Sequence, residues 1–168
     1  MKKKLPIFLA IWPYMFFGVY LIKNGKVFNL FIVVYSILTI AMYILNIIYA
    51  CRLNGAESHN QLAFWDMFLK LVHLPFYLLT LLIGAFIFIS IETPSEIYVG
   101  TIFVFCLILA DLFLMSISSI YGINALLRAR KKKAISTAFM ILHSILHCII
   151  VSDVISAVIL FLKLRKQI

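Results

Sequence analysis

The sequence predicts an all-α integral membrane protein, a bundle of about five transmembrane helices, and three observations carry that expectation. Of the 168 residues, 65% are hydrophobic and only 12% charged, with a mean hydropathy of +1.12. Water-soluble domains run near half apolar and a quarter charged, so this chain has too few charges to cover a globule in water. The apolar residues are gathered into five long runs, and Lys and Arg sit at the ends of those runs.

The first run, 5–22, follows the basic Lys2, Lys3 and Lys4 and contains Pro13, which kinks a helix. Its start resembles a signal peptide in charge and apolarity but lacks an Ala-x-Ala-like cleavage site, so a retained first helix is expected. It is short for a span, and the bundle has four spanning helices if this segment does not cross. "KNGK" at 23–26 is a tight turn with Asn-Gly at its centre. The second run, 27–51, closes at Arg52; the third covers 62–91, the fourth 97–127 and the fifth 134–162. Each of these four reaches the ~20 apolar residues that a span requires. The spans and their short connections form one polytopic domain, 1–168, with no soluble catalytic unit.

Orientation follows from the basic residues. With the amino terminus in the cytoplasm, Lys2–Lys4, Arg52 and the run Arg128, Arg130, Lys131, Lys132 and Lys133 fall inside, nine in all. The "KLRK" of 163–166 then falls outside, which is the weak point of five spans. A multi-pass plasma-membrane protein is expected, its basic runs contacting anionic headgroups of the lipid bilayer. The net charge of +9 does not indicate nucleic acid, because no polar domain carries it. Cys51, Cys106 and Cys148 are odd in number and widely spaced, with no CxxC, and are expected to act as small buried hydrophobes.

Ionisable residues inside a span cost a few kcal/mol each, so each one asks for a reason. Counting a rise of about 1.5 Å per residue along straight, centred helices puts Asp111 and His147 at the middle of segments four and five. His73 comes about 5 Å to the cytoplasmic side of the middle of segment three, with Lys70 a turn lower. Asp66 reaches the headgroup boundary, and Asp153 falls in the outer half of segment five. Three helices thus supply His73, Asp111 and His147 at one depth, with Lys70 nearby as a ligand or proton-relay candidate. Pro75 frees the carbonyl of Leu71 inside the bundle. If the chain instead bends at Pro75, residues 61–73 form an amphipathic surface helix with Gln61, Asp66, Lys70 and His73 as its wet stripe.

Three functions compete for this polar layer. The leading expectation is non-enzymatic binding of a lipophilic or ionic small molecule, or of a membrane partner. A second is a metal-dependent intramembrane enzyme on a lipid-like substrate. There the pair His143 and His147, one turn apart on one helical face, would hold a divalent metal such as zinc or iron. A third is a transporter subunit or immunity-type interaction protein in which the polar layer serves packing alone. Ser116, Ser118 and Ser119 are expected to bond back to their own helix or to neighbours.

Overall fold

Residues 5–53, 58–90, 93–147 and 149–166 are described in a computed structural model of the chain, and among them there is no strand. Helix α1, Leu5–Met15, passes through Pro13 and tightens into a 3₁₀ segment, Phe16–Leu21. Asn24 then caps α2, Gly25–Arg52, its side chain accepting from the backbone of Lys26 and Val27. Helix α3, Ser58–Ile89, continues through Pro75 without ending, and α4 runs Pro94–Lys131. Two shorter helices follow, α5 at Thr137–Leu146 and α6 at Ile150–Arg165.

Helices α2 and α3, and residues Ile97–Lys131 of α4, are long and apolar enough to cross a membrane. Their outer faces fit that reading. Leu30, Val33, Ile37, Ile40 and Ile44 on α2 are all exposed, as are Leu81, Phe86, Ile102 and Phe113 on α3 and α4. Apolar surface of this extent is foreign to a monomer in water and ordinary in lipid. The architecture is that of a helical membrane bundle.

Helix α3 is the centre of the packing. Its buried residues Leu62, Asp66, Leu69, Lys70, His73, Phe76, Thr80 and Gly84 recur at spacings of three and four, which form one stripe on a helix. Paired contacts give the directions. Thr80 meets Asp111 and Gly84 meets Val104, so α3 and α4 are antiparallel. Tyr121 donates to Asn46 at 2.7 Å and Arg128 donates to the carbonyls of Cys51 and Leu53, so α2 and α4 are parallel. Trp12 stacks on Tyr35 and donates to Thr39, while Tyr14 donates to the Val72 carbonyl, tying α1 to both α2 and α3.

Segment five departs most from expectation. In place of one continuous helix over 134–162 there are two, and they are antiparallel. Lys163 lies over the Phe139 ring, His143 meets Ser156, and His147 meets Asp153. The surface-helix alternative for 61–73 also departs from the structure: Asp66, Lys70 and His73 face the protein interior, and only Gln61 of that stripe is exposed. Cys51 and Cys106 are exposed instead of buried, because both stand on outward faces of their helices. Cys148 lies outside the described residues.

Helix α4 ends in a paired hydrogen-bond closure, Ala134 N–H to the Ala129 carbonyl and Lys133 N–H to that of Arg130. The closure needs a left-handed residue, and Lys133 supplies it with φ 59°. A side chain in that region costs about 1–2 kcal/mol that glycine avoids. Lys133→Gly is therefore expected to raise stability by about 1 kcal/mol, after its greater unfolded-state freedom is counted. A thermal unfolding midpoint equal to or below that of the wild type would show that this turn carries no strain.

Candidate functional site

The charged residues that the sequence scatters along three segments meet at one place. Lys70 stands at the centre, 1% exposed, with its Nζ 2.7 Å from Asp66 Oδ1 on its own helix. It donates to Asp153 Oδ1 from α6, and its Nζ is 2.7 Å from His147 Nδ1 at the end of α5. A lysine ammonium has three N–H donors, and three groups surround it here: the Asp66 carboxylate as an ion pair, the Asp153 carboxylate and the His147 ring nitrogen. From α4, the Ser119 hydroxyl lies 3.2 Å from Asp153 Oδ1 and 3.4 Å from the His147 carbonyl oxygen.

Local sequence explains how each group arrives. Asp66 and Lys70 are one turn apart on the buried stripe of α3, as the i, i+4 spacing requires. His147 is the residue at which α5 ends, its N–H bonding to the His143 carbonyl. Asp153 sits in the first turn of α6, where a carboxylate complements the helix dipole. The turn between α5 and α6 thus carries His147 and Asp153 together against Lys70, with His147 Nδ1 2.6 Å from Asp153 Oδ1.

That imidazole nitrogen has two roles open to it. Bare, it accepts from Lys70; protonated, it donates to Asp153. The other ring nitrogen, Nε2, is 3.8 Å from Asp66 Oδ2. Both atoms are buried without a hydrogen-bond partner among the described residues. Gly122 of α4 lies against this gap. A Cβ there would stand 2.5 Å from Asp66 Oδ2 and 2.6 Å from His147 Nε2, so only glycine lets α4 close over the cluster.

The layer of His73, Asp111 and His147 expected from depth is not brought together. His73 turns towards α1, its Nε2 3.2 Å from the Leu9 carbonyl oxygen. Asp111 is half-buried further along and accepts from Thr80 at 2.7 Å. Only His147 of the three joins the cluster, with Lys70. Asp66 and Asp153, expected at the headgroups and in the outer half, are 0% and 2% exposed at its core. The two histidines of the proposed metal pair have different partners: His143 bonds Ser156 while His147 faces Lys70 and Asp153. Among the described residues no three His, Cys, Asp or Glu side chains converge on a metal-binding point. A cleft of about 320 Å³ lined by Asn60, Gln61, Phe64, Trp65 and Phe161 is open to the surface and shares no residue with the cluster. Ser116 and Ser118 bond back to their own helix.

Alanine at two buried glycines, Gly84 of α3 and Gly122 of α4, separates the cluster from ordinary packing. At Gly84 a Cβ meets only Val104 at 3.7 Å, an ordinary contact. Gly84→Ala should keep or raise the unfolding midpoint, since alanine is the better helix former by about 1 kcal/mol. Gly122→Ala must push the carboxylate or imidazole off its partners, and a loss of about 3 kcal/mol or more is expected. Equal tolerance of the two substitutions would mean that the charges are not sealed at Gly122.

No curated protein and no solved structure matches the chain. A family model does, over residues 5–166, which is nearly the whole length. The chain belongs to that family, DUF6652, a family of unknown function.

Proposed function

We propose that the chain is a non-enzymatic, multi-pass protein of the plasma membrane whose buried cluster of Asp66, Lys70, His147 and Asp153 holds an exchangeable proton. The amino terminus is cytoplasmic. Helices α2, α3 and α4 cross the bilayer, and α1 with its 3₁₀ extension, ~28 Å long by its rise per residue, crosses as the fourth.

The observation that carries this reading is the charge balance. Two carboxylates face a single ammonium in a space sealed from water, so with a neutral imidazole the cluster holds one negative charge too many. A lone buried charge costs several kcal/mol. One further proton removes it, and that proton is counted for the cluster as a unit. Lys70 Nζ, His147 Nδ1 and Asp153 Oδ1 are mutually within hydrogen-bond reach, so the proton has more than one place to sit. A proton also asks for no room, which suits a site closed by Gly122. Clusters of Asp, His and Lys inside membrane bundles mark proton pathways. Of the lipophilic and ionic ligands expected from sequence, the ionic one is what this geometry supports.

The charged and titratable groups facing His147 are Asp66 and Lys70 from α3, Asp153 from α6 and His143 one turn back on α5. From helix α4, Ser119 and Gly122, neither of them charged, lie there. If the folded cluster binds one proton more than the unfolded chain, stability falls as pH rises, by up to about 1.4 kcal/mol per pH unit. Asp153→Asn removes the surplus negative charge without a proton. Thermal unfolding measured from about pH 6 to about pH 8, the range in which physiological proton exchange occurs, should therefore show a steeper loss with pH in the wild type than in Asp153→Asn. Parallel pH profiles for the two proteins would defeat the proton reading.

A further inference from the structure

We infer that α5 and α6 form a re-entrant hairpin, entering and leaving the membrane on one face. The carboxy-terminal basic residues then share that face with the run Arg128–Lys133, and together they bind anionic lipid headgroups.

The first support is the ladder between the two helices. Phe139 pairs with Lys163, His143 with Ser156 and His147 with Asp153, each step moving inward to the turn between α5 and α6. The second is length: 10 and 16 residues give about 15 Å and about 24 Å, short of a hydrocarbon core of about 30 Å. Neither helix crosses by itself. The third is the direction of their neighbours. Arg130 bonds Thr137 at the start of α5, while Ser119, deeper along α4, meets the His147 carbonyl, so α5 descends beside α4. Phe64 near the start of α3 meets Phe161 near the end of α6, so α6 climbs back to the same end.

Irregular backbone at membrane depth survives only where protein satisfies its polar groups. The described residues beside the turn meet that condition. The Leu146 carbonyl accepts from the Ile149 N–H and the Ser152 hydroxyl, and the His147 carbonyl lies within reach of Ser119.

The hairpin changes the charge map. Among the described residues, Arg52, Arg128, Arg130, Lys131–Lys133, Lys163, Arg165 and Lys166 all stand at one end of the bundle, against Lys23 and Lys26 at the other. A five-span path sends the tail to the wrong side by the positive-inside rule; the hairpin returns it. Arg130, Lys131–Lys133, Arg165 and Lys166 are exposed there. Each such residue near an anionic leaflet adds to the attraction.

The test has two arms, neither of which depends on a proton at the cluster. In a protein with Cys51, Cys106 and Cys148 replaced by serine, Lys132→Cys and Lys166→Cys are introduced singly. Each is then labelled with a membrane-impermeant maleimide in right-side-out and inverted vesicles. Both positions are expected to label from the same face, and labelling from opposite faces overturns the hairpin. For the lipid surface, unfolding midpoints are compared in vesicles of phosphatidylcholine alone and of phosphatidylcholine with phosphatidylglycerol. A higher midpoint with the anionic lipid is expected. The gain should shrink in Arg165→Gln/Lys166→Gln and vanish in about 1 M salt, where screening acts within about 3 Å. Equal midpoints in the two lipids, or a gain untouched by both the double substitution and salt, overturn the lipid surface.

Discussion

The fold depends on one ammonium. Lys70 is buried beneath α4, α5 and α6, and its charge is tolerable there only because Asp66 and Asp153 reach it from two different helices. Removing one partner of such a buried pair typically costs about 3–5 kcal/mol, since the charge left behind has no water to turn to. The α3–α6 contact is therefore specified by electrostatics as well as by shape. Apolar packing of Leu62, Leu69, Leu160 and Leu164 around it adds strength but does not select a register.

In lipid the hydrophobic effect does little to draw helices together, because tails and leucines are equally apolar. What remains is close packing and polar contact, and the chain uses both. Tyr121 with Asn46 joins α2 to α4, Trp12 and Tyr35 join α1 to α2, and the Lys70 cluster joins α3 to the α5–α6 pair. Gly122 serves the last of these by absence, since any side chain at that point of α4 would collide with Asp66 and His147. A polar contact thus marks each of these helix junctions.

The helical membrane character was legible in composition and in the apolar runs, and the Asp66–Lys70 pair was legible in its i, i+4 spacing. The cluster was not, for a definite reason. Depth counted along straight, centred helices placed Asp153 beyond His147, as one continuous segment five requires. The reversal between α5 and α6 folds Asp153 back to the level of His147, and no periodicity signals that reversal, because both halves remain apolar. One clue was present: the basic 163–166 tail violated the charge rule on a five-span path. His73 misled in another way, since a buried histidine one helical turn beyond Lys70 looks equivalent in sequence yet turns towards a carbonyl of α1.

The most direct test of the Lys70–Asp153 tie is a double-mutant cycle read by unfolding of Lys70→Met, Asp153→Asn and the pair together. Lys70→Met alone strands two buried carboxylates, whereas the second substitution relieves one of them. The account predicts a coupling of about 2–3 kcal/mol, the upper part of the range of about 0.5–3 kcal/mol found for residues in one charge network. Additivity within about 0.5 kcal/mol, as for distant and independent sites, would contradict the claim that this ion pair holds α6 against α3.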